Sequence, residues 1–106
     1  MRLVGLMYVS LLALLVASMP SARAETSGKQ VFDHYCAHCH GAGDAPGTLQ
    51  LGRTRGKDRA LLAARSDLAP DFIEHVVRHG LKSMPPFTPS DLNDADLEAL
   101  VRFLTK

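Results

Sequence analysis

Residues 36–40 read Cys36-Ala37-His38-Cys39-His40, and this run decides how the rest of the 106-residue chain is read. The C-x-x-C-H spacing is the signature of covalent haem attachment. At the end of a helix, positions 36 and 39 stand one turn apart on one face, so both thiols reach the vinyl groups along one haem edge. His40 follows Cys39 directly and lies four residues past Cys36, which aims its imidazole at the iron. The spacing therefore predicts one covalently bound haem c, with Cys36 and Cys39 as attachment points and His40 as an iron ligand.

Two other chemistries use similar spacings. A zinc site built from Cys36, Cys39, His75 and His79 has the right pairs, C-x2-C and H-x3-H. However, 35 residues separate Cys39 from His75, where a compact finger uses about 12 to 15. A thioredoxin-like dithiol needs a βαβ context, and almost no segment here alternates like a strand. A structural disulfide between Cys36 and Cys39 closes too small a loop to restrict the unfolded chain much.

The beginning of the chain sets the compartment. Leu3 to Ala22 carries no charged side chain, follows Arg2 and ends in Ala22-Arg23-Ala24, a small-x-small cleavage pattern. Cleavage after Ala24 divides the chain into a secretory leader, residues 1–24, and one domain, residues 25–106. The rival is a retained anchor over Leu3 to Met19, at the lower edge of a membrane span; Pro20, Ser21 and the cleavage pattern oppose it. The expected location is the periplasm, with no span left once the leader is gone. Of 12 basic and 11 acidic residues, Arg2 and Arg23 leave with the leader. The exported domain is then slightly acidic, which removes any strong attraction to nucleic acid. A domain this short buries little apolar surface, so a large flat cofactor supplies core material that the polypeptide lacks.

The second axial position is also readable. Met1, Met7 and Met19 lie in the leader, which leaves Met84 as the one methionine of residues 25–106. It stands in Ser83-Met84-Pro85-Pro86-Phe87, where two prolines disfavour helix and stiffen an extended segment. A thioether is thereby presented at low ordering cost. A methionine is more often a core filler, but beside C-x-x-C-H and before proline this one reads as the ligand opposite His40. His34, His38, His75 and His79 compete for that role, each with a solvated or structural position as its ordinary reading.

The pattern predicts an all-α chain. Gly28 to Cys36 forms a first helix with Val31, Phe32 and Tyr35 on its apolar face. Ala42 to Gly56, with four glycines and Pro46, reads as a loop wrapping one side of the haem. Lys57 to Arg65 reads as a short Ala/Leu helix. Pro70 opens a helix with Phe72, Ile73, Val76 and Val77 as a buried stripe and Gly80 as its C-terminal cap. Asn93 caps a last helix whose inner face is Leu97, Leu100, Val101 and Leu104.

These separated features together resemble a class I c-type cytochrome over about residues 28 to 104. Gly28 and Phe32 match the family's first helix, residues 36–40 its haem site, Met84-Pro85 its distal loop, and Leu100, Phe103 and Leu104 its last helix. The resemblance implies a small class I cytochrome c fold, four to five helices and loops around one covalent haem. It further implies that the terminal helices pack together, with Gly28 admitting Phe103 close to the backbone. By the same match, the Pro46 carbonyl accepts the His40 Nδ1 proton and Arg53 pairs with a haem propionate. An ordinary solvated surface cation is the other reading of Arg53.

With His40 and Met84 both bound, the iron has no vacancy for substrate, so the expectation is an electron carrier rather than an enzyme, cycling between Fe(III) and Fe(II). Methionine raises the potential above that of a bis-histidine site. The expected partners are redox proteins. Arg53, Arg55, Lys57 and Arg59 against Asp91, Asp94, Asp96 and Glu98 form either a docking dipole or a plain mixed-charge surface. The stretch from Val77 to Phe87 is also similar to the cytochrome subunits of para-cresol methylhydroxylase-type flavoenzymes, which oxidise phenolic compounds through a flavin on the partner chain. That similarity implies the alternative of a dedicated electron-acceptor subunit serving a flavoprotein dehydrogenase or hydroxylase. A haem enzyme or gas sensor with a labile Met84 is the remaining class.

Overall fold

A computed structural model of the chain describes residues 26–106; the leader and its cleavage site lie outside the described residues. Among the described residues five α-helices follow one another: α1 (Gly28–Tyr35), α2 (Ala37–His40), α3 (Pro46–Arg55), α4 (Pro70–His79) and α5 (Asp94–Leu104). Two 3-10 turns, Lys57–Arg59 and Leu62–Ala64, lie between α3 and α4. Among the described residues there is no strand beyond one isolated bridge, Leu81 to Met84.

The frame is the pairing of α1 with α5, the most extensive between any two elements. α1 starts with a capping box: the Gln30 N–H donates to Ser27 Oγ at 3.2 Å and the Ser27 N–H to Gln30 Oε1 at 2.9 Å. α5 starts at Asn93, whose side chain accepts from the Asp96 N–H at 2.9 Å, with Asp94 and Asp96 favourably placed in its first turn. Val31 and Phe32 of α1 meet Leu97, Leu100, Val101 and Leu104 of α5, all buried. Each such side chain contributes about 1.5–3 kcal/mol of apolar burial. Phe32 and Phe103 pack with ring centroids 5.6 Å apart. Gly28 makes the crossing possible, because a Cβ there would stand 2.6 Å from Phe103 Cβ and 2.8 Å from the Ala99 carbonyl carbon.

α4 closes the core from a third side. Pro70 occupies its first turn and Gly80, with φ +74°, ends it as expected. Ile73 and Val77 are buried one turn apart, together with Leu92 from the loop before α5. The stripe is narrower than its sequence suggests. Val76 is half-buried, and Phe72 is 53% exposed because it projects beside the Ile73–Val77 row, outside the face covered by the core.

Two other expectations are corrected. Residues 46–55 form a helix, not a loop: Pro46 sits in the first turn with φ already helical, and Gly56 ends the helix at φ +101°. Of the glycines inside it, Gly47 serves close approach to α2, whereas a side chain at Gly52 would make ordinary contact with Ala60. Residues 57–65 form two short 3-10 turns, not one helix, and extended backbone at Leu61 separates them. The first helix ends at Tyr35, with Cys36 as its cap.

Candidate functional site

Cys36, Cys39 and His40 occupy one tight turn that continues α1. The Cys36 N–H donates to the Phe32 carbonyl at 2.9 Å, and the Cys36 carbonyl in turn accepts from the Cys39 N–H at 3.1 Å and the His40 N–H at 2.8 Å. The chain thus places the two thiols three positions apart and the imidazole four positions from Cys36, on one side of the turn. The thiols are free rather than joined; Cys36 is half-buried and Cys39 exposed. Burial, reinforced by the Cys39 charge, pushes the Cys36 thiol up to about 11. It is a neutral thiol at physiological pH and a poor disulfide-forming nucleophile.

Burial likewise lowers the His40 pKa, which favours the neutral imidazole with a lone pair to offer. His40 Nδ1 is buried without a hydrogen-bond partner. The first turn of α3 closes over this edge of the ring. A Cβ on Gly47 would stand 2.7 Å from the Cys39 carbonyl oxygen and 3.1 Å from His40 Nδ1. Thr48 is buried, and its hydroxyl donates to the Gly41 carbonyl at 2.6 Å, fastening α3 to the end of α2. Pro46 is exposed immediately before this contact, and no hydrogen bond joins its carbonyl to His40 in the structure. Gly47 and Thr48 were not singled out by sequence, although a glycine beside Pro46 was a signal that some backbone approaches closely there.

Met84 lies on a separate loop that is tightly closed. Leu81 and Met84 exchange two backbone hydrogen bonds, 3.1 and 2.9 Å. Lys82 at the tip takes φ 54°, and a Cβ on Gly80 would lie 2.6 Å from the Met84 carbonyl oxygen. Met84 is half-buried against the core cluster. The loop is brought to the side of the Cys36 turn by Tyr35, the residue before Cys36, whose ring meets Phe87 edge-on at 6.2 Å. Leu62, Ala63 and Leu68 add further half-covered apolar surface to the same core.

The other candidates are scattered. Arg53 is exposed on the last turn of α3. His34 and His38 are exposed, with His34 edge-on to Tyr35. His75 and His79 stack on the outer surface of α4 at 4.3 Å. Among the described residues no three His, Cys, Asp or Glu side chains converge as a metal cluster, so the pairs 36/39 and 75/79 do not assemble a zinc site.

The residues of the turn fit a covalently tethered haem. Two unpaired thiols share a helical turn with a half-buried imidazole, beside apolar side chains that the polypeptide only half covers.

Residues 23–104 match the family described as cytochrome c oxidase, cbb3-type, subunit III. The chain belongs to this family of c-type cytochromes, and with that family come haem c and electron transfer as its role. It is 30% identical over 79 residues to the 4-cresol dehydrogenase [hydroxylating] cytochrome c subunit of Pseudomonas putida. The alignment covers 74% of this chain and spans 58% of that relative's length. No solved structure matches the chain. The all-helical architecture is that of a small cytochrome c fold, and no described helix is long and apolar enough to cross a membrane.

Proposed function

We propose that the chain carries a single haem joined by thioethers to Cys36 and Cys39, with His40 and Met84 as axial ligands, and passes single electrons between redox proteins. The observation that carries this reading is the Cys36-to-His40 turn, in which two free thiols stand beside a half-buried imidazole whose pKa burial lowers. When bound, the haem supplies one-electron Fe(III)/Fe(II) chemistry. The polypeptide supplies constancy: both proposed ligands stand on backbone closed by its own hydrogen bonds, so little needs to move between redox states. His40 would present Nε2 to the iron, with its Nδ1–H donating a hydrogen bond to the Pro46 carbonyl; Gly47, the next residue, lies against that edge of the ring. Arg53, on the last turn of α3, would pair with a propionate. Met84, half-buried against the core, would supply a thioether that favours the ferrous form and so raises the potential.

The mature protein is residues 25–106, released into the periplasm after leader cleavage. The mass of the purified native protein tests both parts of the proposal. One haem above the mass of residues 25–106 is expected; a colourless product, or haem released intact by acid-acetone from the unsubstituted protein, overturns it. Cys36→Ala retains one thioether, and Cys36→Ala with Cys39→Ala is expected to release the haem to the same extraction.

A second reading is favoured by the relative from Pseudomonas putida: service as the dedicated electron acceptor of a flavin-dependent enzyme that oxidises phenols. Co-purification with a flavoprotein from the native source distinguishes it from a free carrier. Carbon monoxide binding to the reduced protein at neutral pH tests the labile-Met84 alternative.

A further inference from the structure

The loop that carries Met84 is held at both ends by the last turn of α4. At its start the Gly80 N–H donates to the Val76 carbonyl at 2.8 Å; at its finish the Phe87 N–H donates to the Val77 carbonyl at 2.7 Å. The Arg78 side chain joins this closed loop by hydrogen bonds to the start of α5. Arg78 Nη1 donates to the Phe87 carbonyl at 3.2 Å and to the Leu92 carbonyl at 2.7 Å, while Nη2 donates to Asp94 Oδ1 at 2.6 Å. The Arg78 side chain is only 18% exposed, whereas that of Asp94 is 83% exposed. Both backbone polar groups of Phe87 are therefore bonded to adjacent residues of α4, three positions beyond the methionine.

Arginine suits this position for a geometric reason. Three acceptors from the loop, from the segment before α5 and from the first residue of α5 surround one planar fork, and each bond is charge-assisted. A lysine ammonium is a single point on a flexible stem and reaches fewer of them. Most of the interaction is with main-chain carbonyls shielded from solvent, so the Asp94 ion pair is the minor part.

We propose that Arg78 is the positioning residue for the Met84 thioether: by bonding the Phe87 and Leu92 carbonyls together it fixes the far end of the ligand loop against α5, and so sets how readily Met84 leaves the iron. This rests on the reading of Met84 as axial ligand. Phe87 transmits the constraint twice, through its carbonyl to Arg78 and through its ring to Tyr35, the neighbour of Cys36. Releasing the carbonyl loosens the hold of α5 on the far end of the loop, while the Leu81–Met84 bridge and the Phe87 N–H bond to Val77 stay intact.

The test is competition for the iron by free imidazole, titrated into the ferric holoprotein and read in the visible and near-infrared spectra. Arg78→Gln is expected to raise the apparent imidazole affinity about tenfold, the scale of one lost charge-assisted hydrogen bond. Arg78→Lys is expected to restore part of the loss, and Asp94→Asn to change it least, since both carbonyl bonds remain. Val31→Ala, a truncation in the core on α1 that touches none of the Arg78 hydrogen bonds, is the control for general loosening. An equal rise in Val31→Ala overturns the positioning role, as does an unchanged affinity in both Arg78 variants. Met84→Ala separates the two readings. If it raises imidazole affinity while the Arg78 variants do not, the ligand assignment stands and this inference fails. If Met84→Ala leaves affinity unchanged, the ligand assignment itself fails.

Discussion

Gly28 of α1 lies against the Ala99 carbonyl of α5 so closely that no side chain fits between them. The nearest atoms are backbone, which cannot rotate away, and Phe103 Cβ completes the enclosure. Gly28→Ala is expected to force the two terminal helices apart and to cost about 3 kcal/mol, at the upper end for overpacking. A lowered midpoint in denaturant with an unchanged m-value, measured on holoprotein, checks it; a midpoint equal to that of the parent protein contradicts the crossing described here.

Met84→Ala is expected to lower the reduction potential, abolish the thioether-to-ferric charge-transfer band and admit carbon monoxide to the reduced protein. The physical cause is loss of a soft ligand that favours Fe(II). Potentiometry together with the spectrum provides the check. An unchanged potential with no new ligand binding removes Met84 from the iron.

Gly47→Ala places a methyl group within 2.7 Å of the Cys39 carbonyl oxygen and 3.0 Å of His40 Cε1. The expected cost is about 1–3 kcal/mol, with a reoriented imidazole. The proton spectrum of the ring in the haem-bound protein reports that reorientation. Gly43→Ala is a useful comparison, because open space surrounds that position and only its positive φ of 77° opposes a side chain.

Acid sensitivity should involve Asp67. A two-pronged hydrogen bond from Arg65 Nε and Nη2, both at 2.7 Å, is the main reason its carboxyl falls from 3.8 to about 2. A carboxyl whose folded pKa lies below its unfolded value adds stability that is complete above the unfolded pKa and disappears as pH falls through the folded one. The relevant window is therefore about pH 4 to 2. Asp67→Asn is expected to be modestly less stable than the parent at neutral pH and to show a shallower loss across that window. Parallel acid-unfolding curves for the two proteins would count against the pair. The effect is modest because Asp67 faces solvent.

What sequence revealed here depended on how local the cause was. The 36–40 turn, the Pro70-to-Gly80 helix and the Asn93 cap each result from interactions within a few residues, and all three are in place. The helix at 46–55 was hidden because glycines usually signal a loop. Gly47 exists for contact with His40, a partner that is adjacent only after folding. Phe72 was misplaced since periodicity specifies an apolar arc without saying how much of it a neighbour covers. Arg78 had no signal at all: its acceptors lie 9, 14 and 16 residues away. The Cys36-to-His40 motif was legible as chemistry, whereas Gly47 and Thr48 beside it were not, and the scaffolding of Met84 was legible only as a stiff segment.

The crossing of α1 and α5 also decides where the molecule can be handled. Ser27 and Lys29 border the same shallow groove as Phe103 and Lys106, with Lys106 Nζ 4.4 Å above the Phe103 ring. Whatever precedes residue 26 or follows residue 106 departs from this one pole, about 12 Å along α1 from the Cys36 turn. An electrode linker, fluorophore or affinity tag grafted at either terminus therefore shares a single address, and swapping it from one terminus to the other should leave the tunnelling distance to the redox centre nearly the same.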